Sequence, residues 1–157
     1  MPLRDLSSEV LEQGHPVTRI DFHSNVADKI GYACRLVRKA RAANCRVVLY
    51  TDDHAQLRDL DDALWTFSEL DFLPHVMAGD ALASNTPVVL AGNADSALPH
   101  NQILINLSAA TPAHFAQFER MFEIVSPDAT DASAGRERYR FYQQRGYPLT
   151  HFVADKA

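Results

Sequence analysis

Five short β-prone runs, separated by helical stretches, restrict this chain to a narrow set of folds. They are Arg19 to His23, Arg46 to Thr51, Val88 to Ala91, Ile103 to Leu107 and Phe122 to Val125. Between the first two, residues Asn25 to Asn44 read as a helix with Val26, Ile30, Ala33, Cys34, Val37 and Arg41 along one side. After the second, Asp52 can cap a helix whose Leu57, Leu60 and Leu64 recur at spacings of three and four, the mark of a buried face. Thr111 as cap and Pro112 as first residue predict a further helix between the fourth and fifth runs, burying Phe115 and Phe118 or Met121. From Arg136 the chain reads as a last helix that Gly146 is placed to end.

Strands alternating with helices build an open sheet covered on both faces. The expected fold is therefore α/β, a Rossmann-like single domain with helices on both faces. The loops at 78 to 87 and 92 to 101, rich in Gly, Asn, Asp, Ser and Pro, belong to that domain. A chain of 157 residues with 46% apolar content supports one sizeable core and leaves no room for a second. Residues 1 to 17, with Gly14 and Pro16, precede the first strand and read as an extension to a domain at 18 to 157. No apolar run follows the single arginine of the N-terminus, and no stretch reaches the length of a membrane span, so a cytoplasmic protein is expected.

Nucleotide chemistry lacks its usual residues. The turn after the first strand is His23-Ser24-Asn25, where a dinucleotide site needs a glycine turn, and no glycine lies near a Lys-Ser or Lys-Thr pair. Asp52, Asp53 and His54 lie at the carboxyl end of the second strand, where open α/β sheets hold ligands, and paired carboxylates there could bind Mg²⁺ or act as acid and base. That would make a small hydrolase; the plainer role for the two aspartates is to cap the next helix. The histidines fall in no H-x-x-x-H or H-E-x-x-H spacing and no serine sits in G-x-S-x-G, so no cofactor, metal or catalytic site is expected. Cys34 and Cys45 form neither a disulfide pattern nor a metal pair and read as buried thiols. A net charge of −5 argues against general duplex binding by the whole surface.

Two segments carry the functional signal. In residues 61 to 75 the only tryptophan, Trp65, stands beside Phe67, Phe72, Leu73 and Pro74 where a helix gives way to a loop. Such a cluster is either a core corner or an exposed docking patch. In the C-terminal helix, Arg136, Tyr139 and Arg140 lie at i, i+3 and i+4 on one face. Two guanidinium groups flanking a tyrosine can hold carboxylates beside an apolar group, and they can equally form a solvated basic face. With Arg138 added, the same helix could contact single-stranded nucleic acid through stacking and phosphate contacts.

Together these segments resemble the chi subunit of the bacterial DNA polymerase III holoenzyme, a clamp-loader accessory protein. That family carries a Leu-Asp-Glu-Ala-Leu-Trp type segment followed by Phe-Val-Pro-His, matched here by Leu60 to Trp65 and Phe72 to His75, and an Arg-Glu-Arg-Tyr helix matched by Arg136 to Tyr139. The resemblance covers about residues 18 to 150. It implies a non-catalytic replication adaptor, linked to DNA indirectly. Arg136, Tyr139 and Arg140 would bind the acidic, phenylalanine-ended C-terminal tail of single-stranded DNA-binding protein. Leu64, Trp65, Phe72, Leu73 and Pro74 would meet the psi subunit of the clamp loader. One departure stands out: Ala132 occupies the position one turn before Arg136 where the family carries a lysine. The segment Ser126 to Gly135 also reads as acidic and poorly helical.

Overall fold

Runs of four wholly buried residues, Val47–Tyr50, Val88–Ala91 and Ile103–Asn106, can be satisfied only in the middle of a sheet with both faces covered. The computed structural model, which describes residues 17–66, 74–93 and 98–154, places them there. In chain order the elements are β1 (Arg19–Ser24), α1 (Lys29–Ala42), β2 (Val47–Tyr50), α2 (His54–Thr66), β3 (His75–Met77), β4 (Val88–Ala91), β5 (Ile103–Asn106), β6 (Arg120–Ile124), α3 (Ala129–Gln144) and β7 (Leu149–Val153). The seven strands pair in the order β3-β4-β2-β5-β6-β1-β7, and every pair is parallel. The fold is α/β.

Alternation along the strands divides the core in two. Toward one face, Val47, Leu49, Leu90 and Ile105 meet Ala33, Cys34 and Val37 of α1 and Leu57, Leu60 and Leu64 of α2. Each such leucine contributes about 1.5–3 kcal/mol by leaving water. Toward the other face, Ile20, Phe22, Val48, Tyr50 and Leu104 meet Phe115, Phe118 and Tyr142. Helices therefore lie on both faces, α1 and α2 on one and α3 on the other.

Helix ends follow local chemistry. The Asp28 carboxylate accepts the Gly31 N–H at 3.0 Å to start α1, and Asn44, at φ 61°, turns the chain out of it. In α2 the cap is Asp53, whose Oδ1 accepts the Ala55 and Gln56 N–H groups at 3.0 and 3.2 Å, so the expected cap at Asp52 moves by one residue. Asp128 starts α3 by accepting the Asp131 N–H at 3.3 Å, which makes Ala129 to Gly135 helical where the sequence suggested a poor helix. Gly146, at φ 79°, follows its end as expected.

The helix expected from Thr111 is absent. Residues Phe115–Gln117 form a single 3₁₀ turn instead, and Met121 lies in β6. The Thr18 hydroxyl captures the Phe118 carbonyl at 2.5 Å, and the chain enters the sheet at once, with the Glu119 and Arg120 N–H groups donating to Asn101 and Gln102. Phe115 and Phe118 are nonetheless both buried. β3 and β7 are strands the sequence pattern did not mark.

Candidate functional site

At the carboxyl ends of β1 and β6, α3 crosses the sheet so closely that no side chain fits between. A Cβ on Gly135 would lie 2.9 Å from both methyl carbons of Val125. Beside this contact opens a groove of about 520 Å³. Its apolar floor is Phe22, Val125, Gly135 and Tyr139, and Arg136, Arg140 and His151 stand around it. Tyr139 meets the Phe22 ring edge to face at 5.0 Å and the His151 ring at 6.3 Å. His151 Nε2 is hydrogen-bonded to Ser24 Oγ at 2.7 Å. Asn25, at φ 59°, donates from Nδ2 to the Ala154 carbonyl at 3.0 Å and ties the end of β1 to β7. Arg136 and Arg140 are exposed while Tyr139 is half-buried, so the arginines offer donors at the rim and the ring lies lower. A groove of this form suits a ligand with an apolar end and neighbouring carboxylates.

The third arginine of the segment does different work. Arg138 is buried and its Nε donates to Glu123 Oε1 at 3.1 Å, while its Nη1 donates to the Ala109 carbonyl at 2.7 Å. The Glu123 carboxylate also accepts from Tyr142 Oη at 2.6 Å and Asn106 Nδ2 at 2.9 Å. Burial pushes the Glu123 carboxyl up against the pull of Arg138 and the hydroxyl and amide donors, and burial with the adjacent carboxylate drives the Tyr142 phenol far above its ordinary value. This network fastens α3 to β5 and β6 from below. Arg138 therefore presents no charge to nucleic acid, which removes one residue from that reading of the helix.

The second candidate surface is only partly described. Leu64 is 1% exposed and packs in the α1–α2 core, so it supports a surface from beneath and cannot touch a partner. Trp65, one step of about 100° further round the helix, is 51% exposed. Its ring lies 4.6 Å from that of His75, which is buried and hydrogen-bonded to Asp61 at 2.9 Å. Pro74 is exposed, and Phe72 and Leu73 lie outside the described residues. The Trp65 indole is thus half exposed and is held by its own domain at His75.

Asp52 and Asp53 do not form a pair of reactive carboxylates, since Asp53 is occupied as the helix cap and Asp52 faces solvent. Among the described residues no three His, Cys, Asp or Glu side chains stand close enough to hold a metal ion. Cys34 and Cys45 are free and buried, and burial pushes the Cys34 thiol up to about 11. No helix among the described residues is long and apolar enough to cross a membrane.

A profile of the family described as DNA polymerase III chi subunit, HolC, matches residues 17–150. The chain belongs to the DNA polymerase III chi subunit family. The chi subunit of Pseudomonas aeruginosa is 34% identical over 137 residues, 85% of this chain and 94% of that protein. Those of Haemophilus influenzae and Escherichia coli are 26% and 27% identical over 118 and 116 residues, covering 75% and 74% of this chain and 82% and 79% of theirs. The role is that of a non-catalytic accessory subunit in replication.

Within this chi-family fold, the structure brings Arg136, Tyr139 and Arg140 to one groove, as their spacing on a helix foretold. It adds Phe22, Val125 and His151, which sequence reasoning did not single out.

Proposed function

We propose that this chi-family subunit is a replication adaptor in the cytoplasm, and that its α3 groove binds the acidic, phenylalanine-ended C-terminal tail of single-stranded DNA-binding protein. The observation that carries the reading is the convergence of Arg136, Tyr139 and Arg140 on one apolar-floored groove. The terminal ring would enter between Tyr139, Phe22 and Val125, where edge-to-face packing with Tyr139 is available. The peptide carboxylates would take the Arg136 and Arg140 guanidinium groups, which can donate two parallel hydrogen bonds each. Both arginines are exposed, so their share of the affinity falls as salt rises. With Ala132 one turn earlier, the cationic part of the clamp begins at Arg136.

The exposed Trp65, with Pro74 beside the undescribed Phe72 and Leu73, is assigned to the psi subunit of the clamp loader. Aromatic anchors of this kind supply much of the energy of small interfaces. At these two surfaces, contact with DNA runs through the partners.

Calorimetric titration with a peptide of the last residues of the same organism's single-stranded DNA-binding protein tests the first assignment. Saturable, salt-sensitive binding is expected, and it should be lost in folded Arg136→Ala and Tyr139→Ala proteins. Absence of binding to the wild-type chain at low salt rejects it.

A further inference from the structure

Among the described residues, helices cover the opposite face of the same strands only in part. α1 and α2 pack over β2, β4 and β5, and beyond α1 the β6–β1–β7 part of the sheet borders a groove of about 780 Å³. Alternation places Arg19, Asp21 and His23 of β1, Arg120 and Phe122 of β6, and Thr150 and Phe152 of β7 along it. Leu36 and Lys39 of α1 form its other wall.

Two properties coincide there. The first is aromatic: the His23 ring is 5.5 Å from both Phe122 and Phe152 and 5.3 Å from Tyr32, and Phe152 is 56% exposed. Burial also lowers the His23 pKa, which favours the neutral ring. The second is cationic. The helix α1 has no acidic residue between Lys29 and Ala42, and of its cations Arg35 and Lys39 line the groove or its continuation. Along the groove and its smaller continuation toward Tyr32, Arg19, Arg35, Lys39 and Arg120 face one carboxylate, Asp21. Asp21 is already engaged by Arg120 Nε and Nη2, each at 2.7 Å, and by the Thr150 hydroxyl. Glu119 adds an acid near the Cys45 end. Arg19 Nε also lies 3.7 Å from Asp21, so the positive character of this edge comes from Lys39 and Arg35, in a chain of net charge −5.

We propose that this sheet face between α1 and β7 is a binding site for single-stranded nucleic acid, with bases stacking on Phe152 and its neighbouring rings and phosphates following Lys39 and Arg35. Stacking platforms flanked by cations are the general means of holding single strands without reading sequence. The four residue steps from Arg19 to His23 span about 13 Å along the strand. An unstacked strand rises more per nucleotide than the ~3.4 Å of duplex, so fewer than about four nucleotides lie along it. An exposed ring on the floor favours an unstacked strand over duplex, whose bases are closed to side-on stacking. The site is separate from the α3 groove and independent of what that groove binds.

Fluorescence anisotropy of a labelled oligothymidylate with the full chain, and no other protein present, tests the proposal. Binding at low salt is expected, weakened about tenfold by Phe152→Ala, whose side chain is exposed and whose loss should leave the fold intact. Lys39→Glu should weaken it further and flatten the salt dependence by about one contact. Arg136→Ala should leave it unchanged. No binding at low salt overturns the proposal, as does binding lost in Arg136→Ala and retained in Phe152→Ala. A poly-glutamate peptide that binds in a Phe152-dependent manner while the oligonucleotide does not would also overturn it, reassigning the face to an acidic protein partner.

Discussion

The α3 groove and the Trp65 surface are both built at the edge of a helix, but they are held in opposite ways. The groove rests on a floor that cannot move without breaking the core. Gly135 lies directly on Val125, Tyr139 packs on Phe22, and the Glu123 network locks α3 beneath. The Trp65 surface rests on Leu64 below and His75 at one side, and its indole is half in water. A preformed site loses little ordering entropy when a flexible tail arrives, whereas an exposed aromatic gains its energy only when a partner covers it. Damage to the groove should therefore appear in stability as well as binding, and damage to the Trp65 surface in binding alone.

The strongest way to sharpen that contrast is Glu123→Leu, which leaves the Arg138 charge buried without its carboxylate. A loss of about 3–5 kcal/mol in urea unfolding is expected. Replacing Arg138 by Met in the same protein should recover much of it, since removing both charges avoids the unpaired one. A loss below about 1 kcal/mol in the single variant would show that α3 is held by other contacts.

Next in size is Gly135→Leu. With a Cβ already at 2.9 Å from Val125, the longer side chain must push α3 off the sheet, costing about 1–3 kcal/mol and abolishing tail-peptide binding in calorimetry. Retained affinity would mean that the groove adapts.

A smaller effect belongs to the start of α3. Burial raises the Asp131 pKa, but the Ser126 N–H at 2.8 Å and Lys29 at 3.1 Å outweigh it and hold the carboxyl below its ordinary value. A depressed carboxyl stabilises the fold above its unfolded-state pKa, and the contribution disappears as pH falls through the lower folded value. Acid titration of stability should thus show a decline below pH 3.8 that Asp131→Asn reduces. An unchanged acid limb in that variant would assign the decline to other carboxylates.

Trp65→Ala should have the smallest effect on stability, within about 0.5–1 kcal/mol, because half of its surface is already solvated. Binding to a psi partner, measured by co-purification and calorimetry, should nevertheless fall by about 2 kcal/mol or more. A large stability loss here would break the comparison, making Trp65 a core residue.

The same distinction explains what could be read from the residues alone. Arg136, Tyr139 and Arg140 were legible because one helix face is a local property, and Leu57, Leu60 and Leu64 declared a buried face for the same reason. Phe22, Val125 and His151 complete the groove from distant parts of the chain, and nothing local marks them as partners of α3. Arg138 looks like its neighbours in sequence, yet the geometry of the helix turns it onto Glu123. The Thr111-Pro112 signal is sound local chemistry overruled by Thr18 and by the early entry into β6. β3, three residues long, and β7, an exposed edge, lack the apolar continuity that revealed the central strands.

β7 pairs with β1 alone, and its pleat sends His151 to the α3 groove and Phe152 to the opposite face. Inserting a single residue between Gly146 and Leu149 would shift the strand by one position and exchange the two rings between the two sides. The short connection after α3 is therefore a spacing device: its length, more than its composition, determines which face receives the imidazole and which the phenyl ring.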